Sequence, residues 1–251
     1  MDDTKKIFMN PAKKRNRGLY QRPVRVEGEL LMRRQFDDEL ADLDNGFTEM
    51  GMLVSDVTQR AVDAFINHDR QSAQAIIDHD HDINEREIQL EAKSFEIIAL
   101  YQPVTMDLRE VVTILKAVSD LERAGDHARN IAIATIAVKG NTRVAEIEAQ
   151  IAEMGHLTTK MVQSAIQAYV DKDAEAAKAL VTFDNQLQEH QKVITDASYQ
   201  QIIQNPDVLK AATNYNIVAG DLLRIADYMT NVGEWIIYLK TGKIVELKFL
   251  N

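Results

Sequence analysis

The chain of 251 residues contains no cysteine, only four prolines and ten glycines, and few aromatic residues, which make up 6% of the sequence. The absence of cysteine excludes disulfide bonds, thiolate zinc sites and cysteine nucleophiles, and it fits the reducing conditions of the cytoplasm. Low proline and glycine content leaves long helices uninterrupted, and few aromatic residues leave few strand signals. The composition therefore favours a helical protein.

Long apolar segments and common catalytic motifs are also missing. The longest apolar run extends from Ile131 to Val138 and is broken by Thr135, whereas a membrane-spanning helix requires about 20 apolar residues. No signal-peptide core follows the N-terminal lysines, and no glycine-rich phosphate loop, dinucleotide fingerprint or nucleophile–base motif occurs. We expect a cytoplasmic protein that is not an enzyme and has no direct membrane insertion.

The net charge of -10 is unevenly distributed along the chain. Residues 1–34 carry ten Lys/Arg against four Asp/Glu, so the remainder has a net charge of about -16. An acidic body argues against nucleic acid as a partner. The basic segment is predicted to be a poorly ordered, solvated extension over residues 1–35, with contact to an anionic surface as the alternative.

The sequence repeats itself. The tripeptide Glu-Met-Gly occurs at 49–51 and again at 153–155, and this offset of 104 residues continues without a gap through 60–69 against 164–173. Similarity at a fixed offset indicates tandem duplication of one structural unit. We predict a first repeat over 36–140, a second over 141–242 and a short tail over 243–251.

Apolar residues recur at intervals of three and four between Leu40 and Phe65, a pattern typical of an amphipathic helix. Asp69 is a predicted helix N-cap, Asn205 begins another helix before a proline, and Gly140 and Gly242 are predicted helix ends. Three helices fit into each repeat. The sequence thus predicts an all-α fold of two pseudo-symmetric three-helix bundles, with six long antiparallel helices.

A signature lies near the end of each repeat, now at an offset of 101 residues. It reads Asp-Leu-Glu-Arg-Ala-Gly-Asp-His at 120–127 and Asp-Leu-Leu-Arg-Ile-Ala-Asp-Tyr at 221–228. Glu122, Asp126 and Asn130 are four residues apart, so they share one face of a helix. Carboxylate and amide oxygens at this density suit Mg, Mn, Fe or Zn.

The preceding helix of the first repeat carries a second polar face with helical spacing, formed by Asp80, Asn84, Glu87 and Glu91. The two faces together predict a metal site, and the alternative is an ordinary solvated surface balanced by neighbouring arginines. In the second repeat, Leu223 replaces Glu122. The oxygen donors that remain there, Asp184, Asp227 and Asn231, predict weaker binding.

The sequence resembles the PhoU family in three features. They are these signatures, the turn Gln-Pro-Val-Thr-Met-Asp-Leu-Arg at 102–109 and the Asp-x-x-Ile-Asn motif at 80–84. The resemblance covers about residues 32–245. It implies an all-helical protein with divalent or trivalent metal ions (Fe, Zn, Mn or Mg) bound to acidic motifs. It further implies a homodimeric cytoplasmic negative regulator of phosphate transport and homeostasis, with the ATPase subunit of the phosphate ABC transporter and a membrane histidine kinase as partners.

Two interpretations of the polar residues stay open. Arg109 and Arg123 are candidate partner-binding residues, although Arg109 could equally pair within the chain with Asp107 or Glu110. A metal-dependent hydrolase is the alternative function, because clustered carboxylates and cations can activate water.

Overall fold

The computed structural model describes residues 23–138 and 142–247, with side chains from residue 30 onwards. Its helices are α1 (Pro23–Ile66), α2 (Arg70–Asp78), α3 (His81–Tyr101), α4 (Thr105–Ala137), α5 (Ala145–Val170), α6 (Ala174–Gln204) and α7 (Leu209–Thr241), with a 3-10 turn at Pro206–Val208. These residues contain no strand. The all-α prediction is confirmed. Of the helices described, none combines the length and apolar character that crossing a bilayer requires.

Polar caps define several helix ends. The carboxylate of Asp69 accepts hydrogen bonds from two backbone N–H groups in the first turn of α2, and Asp173 caps α6 in the same way. Asn205 caps the 3-10 turn, while Gly242, with φ of 71°, ends α7 in a left-handed conformation. The predicted ends at Asp69, Asn205 and Gly242 are confirmed, and the predicted end at Gly140 lies outside the described residues.

Two helix boundaries differ from the prediction. The first helix begins at Pro23, inside the segment predicted to be a poorly ordered extension, and proline suits a first helical position. Residues 1–22 of that extension lie outside the described residues. The second predicted helix is divided into α2 and α3 at His79, whose Nδ1 lies 2.8 Å from the carbonyl oxygen of Ala75 and thereby satisfies an end group of α2.

The two repeats share one hydrophobic core. Helix α1 packs against α5 and α4 packs against α7, while α3 and α6 each cover the outer side of their own repeat. Aromatic pairs join the halves: the rings of Phe47 and Tyr169 are 4.5 Å apart, and those of Phe65 and Tyr215 are 6.1 Å apart. The first and third helices of each repeat therefore form the centre of the molecule.

A pair of glycines demonstrates the pseudo-twofold relation between α1 and α5. A Cβ atom built on Gly51 would lie 2.1 Å from Cδ1 of Ile166, and one built on Gly155 would lie 2.5 Å from Cγ1 of Val62. Gly51 and Gly155 are equivalent at the 104-residue offset, and so are Val62 and Ile166. In each repeat, the glycine thus leaves room for the β-branched side chain at the equivalent position of the other repeat.

Candidate functional site

A glycine in the signature allows α3 to lie close to α4. A Cβ atom on Gly125 would lie 2.7 Å from Cδ1 of Ile83, which is buried at the start of α3. A larger residue at this position would require the Ile83 side chain to move. The acidic residues next to Ile83 in sequence are therefore held near those next to Gly125.

Four carboxylates form the centre of the candidate site: Asp80, Glu87, Glu122 and Asp126. We call them the carboxylate group. Burial, together with the negative charges of Asp126, Glu87 and Asp80, raises the pKa of Glu122 to about 7. Burial and the charge of Asp126 also raise the pKa of Asp80, although the guanidinium of Arg129 lies 3.5 Å away and opposes the shift. Burial and the closeness of these carboxylates to one another therefore both disfavour the ionised form of Glu122 and Asp80.

The donor set fits a hard or borderline cation, because a positive charge would relieve the repulsion that raises these pKa values. The side chains are not arranged as a finished ligand set: within residues 23–138 and 142–247, no group of three or more histidine or carboxylate side chains is placed to hold a metal ion. Asn84 and Asn130 are half-buried on the same two helices. Glu91 lines a neighbouring cleft between α3, α4 and α7.

In the second repeat, the corresponding residues make separate contacts. Asp184 is buried and accepts a hydrogen bond from Nε2 of Gln188 at 2.9 Å. Asp227 forms an ion pair with Arg224 at 3.2 Å. Nδ2 of Asn231 donates to Oδ1 of Asp120 in the first repeat at 3.1 Å. The partners in these three contacts lie on α6, α7 and α4, respectively.

The two predicted partner-binding arginines have different surroundings. The guanidinium of Arg109 packs against Gly242, where an added Cβ atom would lie 2.6 Å from Cζ. The suggested pairing of Arg109 with Asp107 or Glu110 does not occur, since Asp107 pairs with Arg33 and Glu110 with Lys172. Arg123 is exposed and lines a cleft of about 700 Å³ together with Glu91, Asp120 and Trp235.

Comparison with known sequences identifies the family. The PhoU domain profile matches residues 47–135 and again 151–236. The chain belongs to the PhoU family. A phosphate-specific transport system accessory protein PhoU homolog from Streptococcus pneumoniae is 34% identical over 216 residues, which are 86% of this chain and 100% of the relative. PhoU homolog 1 of Thermotoga maritima is 32% identical over 83% of this chain and 90% of its own length.

Solved PhoU structures have the same fold. The crystal structure of the phosphate transport system regulatory protein PhoU from S. pneumoniae has a TM-score of 0.78 at 32% identity and covers 84% of this chain and 99% of its own. PhoU from Pseudomonas aeruginosa also has a TM-score of 0.78, at 30% identity, covering 83% of this chain and 100% of its own.

In this PhoU chain, the signature also joins the two repeats, which the sequence pattern did not predict. Nδ1 of His127 lies 2.8 Å from Oδ1 of Asp221, and the His127 ring stacks on Tyr228 at 5.8 Å. Asp120 and Asp221 occupy equivalent positions, and each bonds to the opposite repeat. Their identity in both signatures was the signal that could have indicated this role.

Further polar clusters connect the repeats on either side of α1 and α5. In the first, the buried carboxylate of Glu148 accepts from Arg143 and from the hydroxyl of Tyr215, while Nε2 of His68 lies 3.1 Å away. This cluster fixes the start of the second repeat to the end of α1, because Arg143 also donates to the carbonyl of Phe65.

The second cluster is centred on Asp44, which is equivalent to Glu148 at the 104-residue offset. The hydroxyl of Tyr169 donates to Asp44, and Lys172 pairs with Glu110. Burial, together with the neighbouring charge of Glu110, raises the pKa of Asp44 to about 6, although the hydrogen bond from Tyr169 opposes the shift. Lys172 corresponds to His68, and both residues have left-handed backbones, with φ of 48° and 59°.

Proposed function

We propose that this chain is a cytoplasmic accessory protein of phosphate uptake that represses the phosphate-starvation response. The proposal is supported by the PhoU profile in both repeats and by relatives named as phosphate-specific transport system accessory proteins. In this role the protein would contact the ATPase subunit of the phosphate ABC transporter and a membrane histidine kinase. We propose that it acts as a homodimer, which light scattering after size exclusion would test.

The observation that carries the regulatory proposal is the carboxylate group. Asp80, Glu87, Glu122 and Asp126 gather on the side of the bundle where α3 lies on α4, and burial together with the charges of the other three carboxylates raises the pKa of Glu122. Binding of Fe, Zn, Mn or Mg at these residues would neutralise that surface and change its attraction for a charged partner. Asn84, Glu91 and Asn130 are the further donors proposed for the first repeat.

Deleting the gene tests the regulatory role. We expect the deletion strain to express phosphate-scavenging genes in phosphate-replete medium, and reintroducing the unmutated gene to restore repression. Reintroduced Glu122→Leu protein should restore repression less well, because one central carboxylate is replaced by an apolar group. Unchanged expression in the deletion strain would contradict the proposal.

Partner contacts can be tested through the two arginines. Arg123 is exposed at the cleft, whereas Arg109 packs against Gly242, so we propose Arg123 as the stronger contact for an acidic or phosphate-bearing partner. We expect Arg123→Ala to reduce co-purification of the transporter ATPase several-fold, an effect of about 1 kcal/mol. An equal amount of ATPase with Arg123→Ala protein would reject this contact.

Hydrolysis of phosphoesters is the second candidate, favoured by the pKa of about 7 for Glu122, which suits a general base near neutral pH. Incubation with manganese and a generic phosphoester distinguishes the two functions. Turnover that is lost in Glu122→Gln protein would support the hydrolase, and its absence in the metal-loaded protein would reject it.

A further inference from the structure

The open cleft of about 700 Å³ between α3, α4 and α7 combines two kinds of side chain. Its volume is within the range of about 300–1,000 Å³ that small-molecule sites occupy. Helix α7 contributes Trp235 and Tyr238, α4 contributes Lys116 and Arg123, and α3 contributes Phe95. Aromatic and cationic residues from both repeats thus meet in one place.

The two rings from α7 form an aromatic corner. Trp235 and Tyr238 are half-buried, their centroids are 6.0 Å apart, and their planes are at 86° to each other. The carbonyl oxygen of Trp235 accepts a hydrogen bond from Oγ1 of Thr113 at 3.3 Å, which holds this turn of α7 against α4. A planar group can stack on one ring and place its edge against the other. The cleft therefore suits an aromatic ligand.

The two cations lie on one face of α4. Lys116 and Arg123 are seven residues apart, which is about two helical turns, and both are exposed. The charge of Arg123 acts on Asp120 and Glu122. Within residues 30–138 and 142–247, however, neither cation forms an ion pair or a hydrogen bond. Their N–H donors are available to an anionic group of a ligand.

The carboxylates that line the cleft are less exposed than the cations. Asp120 is buried and accepts from Nδ2 of Asn231 at 3.1 Å. Glu234 accepts from the backbone N–H of Leu247 at 2.8 Å. Glu91 on α3 is half-buried and can accept a hydrogen bond from a hydroxyl or amino group. The charged groups that a ligand meets first are therefore the two cations.

Pseudo-symmetry shows that this combination is not a by-product of helix packing. If packing alone produced it, the second repeat would place the same residue types at the equivalent positions. At the 101-residue offset, the counterparts of the two rings and of the lysine are apolar: Ala134, Ala137 and Ile217. The counterpart of Arg123 is Arg224, which pairs with Asp227 at 3.2 Å. Only one side of the molecule thus joins an aromatic corner to two cations.

We propose that this cleft binds a nucleoside di- or triphosphate. The base lies against Trp235 and Tyr238, the phosphate chain meets Lys116 and Arg123, and Glu91 accepts from a hydroxyl or amino group of the nucleoside. Inorganic phosphate would leave the rings uncovered, and a neutral aromatic molecule would leave the cations without a partner. The proposal does not rest on the regulatory role above, because it requires neither metal nor a transporter subunit.

The single tryptophan of the chain provides the test, because Trp235 fluorescence reports directly on the cleft. We expect ATP, added to the full-length protein in buffer with EDTA, to change this fluorescence saturably. Adenosine or inorganic triphosphate alone should bind about tenfold more weakly or less, since each lacks either the phosphate contacts or the stacking. EDTA keeps metal away from the carboxylate group, so that ATP cannot bind through a cation there.

Isothermal titration calorimetry should give the same dissociation constant as the fluorescence. Binding of ATP that leaves Trp235 fluorescence unchanged would place the nucleotide elsewhere. No binding of ATP, or binding of triphosphate as tight as that of ATP, would likewise overturn the proposal.

Variants separate the phosphate contacts from the aromatic ones. Lys116→Ala combined with Arg123→Ala should weaken ATP binding about tenfold or more and leave adenosine binding unchanged. Phe95→Ala, at a residue that is 58% exposed, should weaken ATP and adenosine alike. All these residues are exposed, so the variants should melt like the unmutated protein.

The second repeat supplies matched controls. Tyr199 is equivalent to Phe95 at the 104-residue offset and is 59% exposed. We expect Tyr199→Ala and Arg224→Ala to bind ATP as the unmutated protein does. Unchanged ATP binding in the Lys116 and Arg123 double variant, or an equal loss in the controls, would reject the cleft as the site. Loss of ATPase co-purification in Arg123→Ala protein, when the purified unmutated protein binds no ATP, would reject the nucleotide site alone.

Discussion

At the position of Glu122 in the first repeat, the second repeat has Leu223, and the surroundings of the two residues differ accordingly. Glu122 lies among Asp80, Glu87 and Asp126, which together with burial raise its pKa to about 7. Around Leu223, the remaining predicted donors pair with Gln188, Arg224 and Asp120. One duplicated fold therefore carries a crowded acidic surface in one half and internally paired polar residues in the other.

The comparison shows that the two repeats have kept the same fold since the duplication, whereas their polar residues have changed. Gly51 and Gly155 make the same close approach in both directions, so the packing of α1 on α5 has kept its symmetry. Gly125, by contrast, corresponds to Ala226 in the second repeat. The second repeat has its own close contact between α6 and α7, at Gly233, where an added Cβ atom would lie 2.9 Å from Cδ1 of Leu180. The glycine-mediated contacts of the two repeats therefore lie at different positions along the helices.

The largest expected effect distinguishes the two acidic surfaces by metal binding. We predict that manganese, iron or zinc stabilises the folded protein mainly through the first repeat, by about 2.7 kcal/mol at a hundredfold excess over the dissociation constant, and that this gain is measured as a rise in melting temperature. Glu122→Leu, which copies the second repeat, should abolish most of this rise. Asp227→Ala should change it little. Reversed sensitivities, or no metal-dependent shift in the unmutated protein, would contradict the assignment of the site to the first repeat.

The next effect tests the symmetry of the packing. Gly51→Ala and Gly155→Ala should each lower the free energy of unfolding by about 1–2 kcal/mol, because overpacking costs about 1–3 kcal/mol while alanine favours the helix by about 0.5–1 kcal/mol. Denaturant unfolding measures both. Gly220→Ala is the control, since its Cβ atom would meet only Nε2 of Gln191 at 3.9 Å, and it should be neutral or stabilising.

If Gly51→Ala and Gly155→Ala lower the free energy of unfolding no more than Gly220→Ala does, α1 and α5 do not pack as closely as described. Very different losses of unfolding free energy for Gly51→Ala and Gly155→Ala would contradict the symmetric packing of α1 and α5.

The smallest effect concerns pH in metal-free buffer. Because the folded pKa of Glu122 is raised from 4.5 to about 7, its favourable contribution is complete below pH 4.5 and is lost as the pH rises through about 7. We predict that Glu122→Gln raises the melting temperature relative to the unmutated protein more at pH 8 than at pH 5. Leu223→Gln, at the equivalent position of the second repeat, should show no such difference. The same offset at both pH values for Glu122→Gln would contradict the crowding of charge.

Much of the fold followed from local patterns. Asp69, Asn205 and Gly242 were predicted as helix ends, and all three act as caps because capping depends on a residue and its immediate neighbours. The start of α1 was not predicted. The basic character of the segment suggested a solvated extension, whereas α1 begins at Pro23, a residue type suited to a first helical position.

The candidate site was predicted in part. Helical spacing placed Glu122 with Asp126 and predicted Asp80 and Glu87 on the facing helix, and in the structure the charges of all three acidic neighbours act on Glu122. The role of Asn231 could not be read from spacing, because its partner Asp120 belongs to the other repeat and is 111 residues away.

The sequence by itself determined the duplicated helical architecture, because a fixed offset and a helical period are properties of the chain alone. Only the tertiary structure decided which polar residues gather at a surface and which join the repeats. The physical reason is that such contacts depend on how closely helices approach each other. That distance is set by residues such as Gly125 and Gly51, whose missing side chains have an effect only where another helix lies against them.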